Sequence, residues 1–274
     1  YALDPAAAFS IGVVIEADRI ELMLVDFLGA AHYRATAALP GDGGPSLAIL
    51  EGAAAAIRRH CADAGIEWAR IAGLGALLIA GSLVHASGTR PDGARDTLTA
   101  RLEAAFGLKV VVANRAAASA AAELLKAEGA LPESFVFICC EQGVGSALMI
   151  AGDAYGGEHG GAMQIGHFTV ATVDGDRLRV GEVASVDILR ARLLAAGLVG
   201  NDLYAANISH PSVVSRWIAE AGSALASALA CIQLAVDVGA IVIDSGLPGA
   251  LAHRLVERIS GELGATLPSG IVAP

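Results

Sequence analysis

The chain has 274 residues, 55% of them hydrophobic and 17% charged, with a formal net charge of −10 at pH 7. That length carries a sizeable core in one or two domains, and the balance of apolar to charged residues excludes a disordered chain. Aromatics make up only 4% and no run of Lys or Arg occurs, which excludes a base-stacking groove and a basic phosphate-binding surface, so these residues are not expected to bind DNA by themselves.

The opening Tyr1-Ala2-Leu3-Asp4-Pro5 reads as the exit from a linker, with a further segment expected upstream. Short apolar runs follow at Ile11–Ile15, Ile20–Phe27 and Ala30–Arg34, punctuated by Asp18 and Gly29, and predict a three-stranded meander with tight turns. Leu47, Leu50, Ala54 and Ile57 recur at helical spacing and predict a helix over Ser46–Ala64. Ile71–Ile79 reads as a strand, Thr97–Phe106 as a helix and Lys109–Ala113 as a buried strand.

The second half repeats the theme. A helix is predicted over Ala116–Lys126, then strands over Phe135–Cys140, Ser146–Ala151 and Phe168–Thr172, with Asp153 near a turn. Helices over Val186–Ala196 and His210–Val236, a strand over Ala240–Asp244 and a helix over Pro248–Leu263 complete the chain. Leu225–Ile243 is nearly membrane-length, but Gln233, Asp237 and Gly239 interrupt it, so it reads as a buried helix, a turn and a buried strand rather than a membrane segment. Cys61, Cys139, Cys140 and Cys231 form no C-x-x-C pair and no zinc spacing, which suits buried reduced thiols. No secretory signal pattern opens the chain, and the expected compartment is the cytoplasm.

A strand meander followed by βα units, occurring twice, predicts two α/β lobes with a cleft between them, residues 1–115 and 116–274. No low-complexity linker divides the halves, so the lobes are expected to pack together. Sequence identity between the halves is too weak to show a repeat.

Five segments carry a family resemblance. They are Val13-Val14-Ile15-Glu16-Ala17-Asp18, Ala113-Asn114-Arg115-Ala116, Glu141-Gln142-Gly143-Val144-Gly145-Ser146-Ala147, Met163-Gln164-Ile165-Gly166-His167 and Ser245-Gly246 after Ile241–Asp244. In order and spacing they resemble the V-D-I-G-G-T, E-N-D-A, G-T-G-I-G-A-G and G-E-I-G-H motifs and the late glycine pair of the ROK family, which groups bacterial repressors with sugar kinases. The resemblance runs from about Phe9 to Leu263. It implies a two-lobed actin-like ATPase (ribonuclease H-like) α/β fold with a central cleft. The opening residues also resemble the join where family repressors leave an N-terminal helix-turn-helix.

The departures bear on chemistry. Arg115 stands at the family's catalytic aspartate, and a guanidinium cannot accept a hydroxyl proton. Val14 replaces the aspartate of the first phosphate loop, Glu16 and Ala17 replace its glycines, and Glu141 and Gln142 alter the second loop. Phosphoryl transfer rests on positioning and charge neutralisation, so no catalytic residue is assigned and no cofactor is expected.

The sugar side is better kept. The resemblance implies ligand contacts from Asn114, Gln164, His167 and Glu182, with Arg115 able to hold an acidic or hydroxylated ligand bidentately or to bridge to a carboxylate. Asn114 equally suits a helix N-cap and His167 a satisfied, partly buried histidine. Phe168–Ser185 lacks the cysteines of the family's zinc loop, so no metal is expected. The loop Ala80–Arg90 lacks the family's sugar-contacting asparagine, with His85, Ser87 and Arg90 as partial substitutes, and His159 reads as a solvated loop residue. His32, His60, His210 and His253 have no motif context.

The expected function is the effector-binding and oligomerisation part of a ROK-type regulator, taking a small sugar-like molecule. It would form a homodimer or tetramer, reach DNA only through an upstream domain and make no membrane contact. A sugar kinase with displaced catalytic groups is the alternative, and a scaffold with a vestigial pocket the third.

Overall fold

The computed structural model describes residues 3–16, 18–39, 46–78, 94–127, 129–158, 161–171, 175, 177–198 and 202–274. Ala17, the loop 80–90 with His85, Ser87 and Arg90, and His159, all read above from the sequence, lie outside these residues. The chain divides into two compact units, Tyr1–Arg115 and Ala116–Pro274.

Unit 1 begins with β1 (Phe9–Ile15), β2 (Arg19–Asp26) and β3 (Ala31–Ala38), an antiparallel meander. Then come α1 (Leu47–Asp63), β4 (Ile71–Leu78), α2 (Ala94–Phe106) and β5 (Val110–Ala113). The sheet order is β3-β2-β1-β4-β5, with β4 parallel to both β1 and β5. In β1 the period of two decides the faces: Phe9, Ile11, Val13 and Ile15 are buried, while Val14 falls on the other face with Ser10 and Gly12. Leu50, Ala53, Ala54, Ile57 and Cys61 give α1 one apolar stripe, and the hydroxyl of Ser46 caps its start by accepting from the Ile49 N–H. Leu98, Leu102 and Phe106 of α2 join the same core.

Unit 2 holds α3 (Arg115–Lys126, from the last residue of unit 1), β6 (Phe135–Cys140), β7 (Val144–Ile150) and β8 (Asp153–Ala154). Next come β9 (Thr169–Ala171), β10 (Arg177–Arg179), α4 (Val180–Ala184), α5 (Val186–Ala195) and α6 (Leu203–Ser209). The long α7 (Pro211–Val236), β11 (Ile241–Ser245) and α8 (Gly249–Thr266) follow. Its main sheet has the order β11-β6-β7-β8, with β6, β7 and β8 antiparallel and β11 parallel to β6. Read as β8-β7-β6-β11, this is the order β3-β2-β1-β4 of unit 1. The repeat that residue identity does not show is therefore present in the strand order.

Strand β6 is buried throughout because both its faces are covered. Phe135, Phe137 and Cys139 pack with Ala116 and Ala120 of α3, while Val136, Ile138 and Cys140 pack with α7 and α8. The adjacent cysteines thus face opposite ways. Burial, then the neighbouring Cys139 and Asp244, pushes the Cys140 thiol up to about 12. Cys61 is also buried, but Cys231 is exposed, against the expectation of four buried thiols, because it lies on the outward side of α7. By length and composition α7 could cross a membrane. In this unit it is the core helix, burying Trp217, Ala221, Ala224, Leu225, Ala228, Leu229 and Ile232. At Gly222 an added Cβ would run into the stem of Arg258, so the missing side chain on α7 is what leaves room for the aliphatic part of Arg258 from α8.

The β2–β3 turn is tied by a single buried carboxylate. Asp26 accepts from His32 Nε2 at 2.9 Å and from the backbone N–H groups of Leu28 at 3.0 Å and Ala30 at 2.9 Å. The His32 hydrogen bond foremost, and the two backbone donors after it, hold its pKa below the ordinary carboxylate value against the opposing effect of desolvation. A carboxylate depressed in this way adds stability above its unfolded pKa, about 3.9, and loses it as pH falls through its folded pKa. Urea unfolding of wild type and D26N followed from pH 7 to pH 2 should therefore show a constant stability gap above about pH 5 that closes toward pH 2. A gap that does not change with pH would show that the charge of Asp26 is not what the turn uses.

Candidate functional site

The turn after β1 is held by its own charges. Glu16 donates its N–H to the Arg19 carbonyl at 2.9 Å. The guanidinium of Arg19 lies 2.6 Å from Glu16, 3.0 Å from Glu21 and 3.8 Å from Asp18. Its hydrogen bond to Glu21, followed by the charges of Glu16 and Asp18, raises its pKa further. Three carboxylates around one cation leave this turn net negative, and a phosphate approaching it would be repelled. The parallel register Val14–Leu77–Ala113 brings the end of β5 to the same end of the sheet as this turn. There the chain continues into Asn114 and Arg115, both exposed, with Asn114 immediately before the first turn of α3.

In unit 2 the turn between β6 and β7 has the same sign. Glu141 donates its N–H to the Gly143 carbonyl at 3.0 Å, and its own carbonyl accepts from the Asp187 N–H at 3.1 Å. Arg190 donates through Nη1 to Asp187 at 2.8 Å, while its Nε is buried with no partner among the described residues. A Cβ built at Gly246 would stand 3.6 Å from a carboxylate oxygen of Glu141 and 3.8 Å from Arg190 Nη2. The two segments that resemble the second phosphate loop and the late glycine pair therefore converge, but on side chains that include two carboxylates.

The segment Met163–His167 is placed by backbone packing. Ile165 is fully buried, and a 3-10 turn covers Ile165–His167. In such a turn residues three apart lie on one side, so Gln164 and His167 stand together and exposed. Gly166 has no room for a side chain: a Cβ there would overlap the carbonyl oxygen of Val144 in β7. Gly181 in α4 makes the next close approach, where a Cβ would lie 3.1 Å from the Gly166 carbonyl oxygen. Helix α4 thus rests on the turn. Its Glu182 is exposed and accepts from the Arg179 N–H at 2.8 Å, which makes the carboxylate an N-terminal cap of α4 as well as a candidate ligand contact.

Unit 2 brings Gln164, His167 and the helix bearing Glu182 together, whereas Asn114 and Arg115 belong to unit 1. The sequence reading missed α4 and the contact of Ser146 in β7 with the Ile165–His167 turn, where the serine hydroxyl accepts from the Ile165 N–H at 3.1 Å. The serine at the alanine position of G-T-G-I-G-A-G was the available signal. His167 is exposed rather than partly buried. Among the described residues no group of three or more His, Cys, Asp and Glu is placed to hold a metal. With no cysteine in Phe168–Ser185, the donors present do not fit the family's tetrahedral zinc.

The model of the ROK family matches residues 73–270, which is most of the chain. The chain belongs to the ROK family. It is 29% identical over 263 residues to the uncharacterized protein y4fQ of Sinorhizobium fredii, covering 93% of this chain and 64% of that protein. It is also 29% identical over 167 residues to the bifunctional enzyme NanE/NanK of Brucella melitensis, covering 60% of this chain and 32% of that enzyme. The chain thus spans less than two thirds of the length of these curated relatives.

Among solved structures, a ROK family transcriptional regulator homologous to the Escherichia coli Mlc protein superposes with a TM-score of 0.74 at 18% identity, covering 96% of this chain and 72% of the regulator. The ROK hexokinase of Thermus thermophilus gives 0.70 at 22% identity, covering 94% and 90%. At such identities the likeness shows the shared actin-like fold and not the activity.

Gly166→Ala tests the packing of this ROK turn. The obstacle is backbone, which cannot rotate away, so the variant should lose about 3 kcal/mol of stability in urea unfolding. A loss below about 0.5 kcal/mol would show that the turn is free to move off β7.

Proposed function

We propose that this ROK chain is the effector-binding and oligomerisation region of a transcriptional regulator that responds to a sugar or sugar derivative and has no kinase activity. The reading is carried by Arg115, which stands where the family resemblance puts the catalytic aspartate, because a guanidinium cannot accept the hydroxyl proton. The charges at both phosphate-loop positions support it. Arg19 is outnumbered by Glu16, Asp18 and Glu21, and Arg190 stands among Glu141 and Asp187. On the sugar side, Asn114 and Gln164 offer amides that both donate and accept, His167 offers a ring nitrogen, and Glu182 a carboxylate, a set suited to hydroxyl groups.

In this reading a small polyol shifts a conformational equilibrium within a homodimer or tetramer in the cytoplasm. DNA contact belongs to a helix-turn-helix outside these residues, and no membrane takes part. A regulator is among the related structures, and it is longer than the region it shares with this chain.

A thermal-shift screen of hexoses, N-acetylated hexosamines and their phosphates should give at least one ligand that raises the melting temperature by several degrees at saturating concentration. A flat response across the panel would overturn the effector reading. The hexokinase among the related structures makes the catalytic alternative worth testing in the same samples. Wild type should form no sugar phosphate from ATP, and Arg115→Asp should form none either, because the phosphate loops remain acidic. Turnover by wild type would refute the non-kinase reading, and turnover by the variant alone would reduce the loss of activity to one residue.

A further inference from the structure

Three non-glycine residues among those described have a left-handed backbone: Ala151, Met163 and Asp237. Asp237 ends α7 in an ordinary left-handed cap, and Ala151 sits in the β7–β8 turn. Met163, at φ 58°, is the bulky one, and it directly precedes Gln164. The G-E-I-G-H pattern has glycine at this position, where a left-handed backbone costs nothing.

What holds the methionine there is a hydroxyl 17 residues away. Ser146, buried in β7, donates its Oγ–H to the Met163 carbonyl and accepts the Ile165 N–H at 3.1 Å. One side chain thus fixes the backbone on both sides of Gln164. The position of Ser146 is alanine in G-T-G-I-G-A-G, so two departures coincide, a clamp gained and a glycine lost. Gln164 and His167 have no side-chain hydrogen bond to any described residue. The point from which each side chain leaves is therefore set by the backbone alone, and the clamp governs that backbone.

We propose that Ser146 is a positioning residue for Gln164 and His167, its hydroxyl substituting for the glycine that the turn lacks at Met163. As a contribution to binding this rests on the effector reading above, in which those two side chains meet the ligand. As a statement about the turn it does not.

The test uses the full chain with isotope-labelled histidine, the His167 ring resonance being identified by its loss in H167Q. Ser146→Ala should shift, split or broaden the His167 Cε1–H signal while those of His32 and His60 in unit 1 stay in place. Adding Met163→Gly should restore a single sharp signal near the wild-type position, because glycine keeps the backbone left-handed without the clamp. A wild-type His167 signal in S146A with only a lowered melting temperature would make Ser146 a plain core contact and overturn the proposal. Failure of M163G to restore the signal would overturn it too. Should S146A alone not fold, the double variant compared with M163G decides: coincident His167 signals support the proposal, and divergent ones refute it. The readout needs no ligand, so a flat sugar screen would sink the effector reading and leave this result standing.

Discussion

The carbonyl of Val144 stands where a side chain on residue 166 would begin. That single exclusion fixes a glycine at 166 and holds the 3-10 turn against β7. It also leaves Gly166 with a carbonyl on which Gly181 of α4 can close. The placement of Gln164 and His167 depends on it. Ile165 enters the core because its neighbour has no side chain to hold the backbone off the strand. Gln164 and His167 face outward because Ile165 faces in.

Charge supplies the second constraint, and it acts separately in each unit. A phosphate loop works by presenting bare backbone N–H groups to an anion. Here the turn after β1 spends its one cation on carboxylates of its own chain, and the turn after β6 sets Glu141 beside Asp187 and Arg190. Neither arrangement strains the fold, since both turns close with ordinary backbone hydrogen bonds. A turn can gather acidic residues at little cost to stability, provided that each carboxylate finds a donor or solvent.

Much of the fold was legible in the letters because it rests on periodicity. The alternation at Phe9, Ile11, Val13 and Ile15, the stripe through Leu50, Ile57 and Cys61 and the unbroken apolar run of β6 each correspond to an observed element. What escaped was short. Helices α4 and α6 have 5 and 7 residues, too few to show a helical period, and α2 starts at Ala94 rather than Thr97. The site was legible as motifs but not as mechanics. Nothing in the order of residues says that Ser146 reaches Met163, because that contact exists only once β7 and the turn lie together. Likewise, the letters offer Glu182 as a ligand contact, while only the structure reveals the hydrogen bond that ties it to Arg179.

The positions that resemble a kinase's phosphate machinery and those that resemble its sugar contacts have diverged to different degrees, and the physics of the two sides accounts for it. Transfer of a phosphoryl group needs a base, bare amides and a place for a metal all at once, so losing one removes selection on the others. Recognition of hydroxyl groups needs only donors and acceptors held at a fixed spacing, and in the proposed function it tolerates a change that keeps hydrogen-bonding reach, such as Gln164 for glutamate. What such recognition cannot survive is a loosened backbone, since hydrogen bonds to neutral hydroxyls are weak singly and depend on direction. A binding role without chemistry therefore places the demand on the scaffold under Gln164 and His167. That scaffold is where this chain pairs a serine clamp with a methionine in a glycine's conformation.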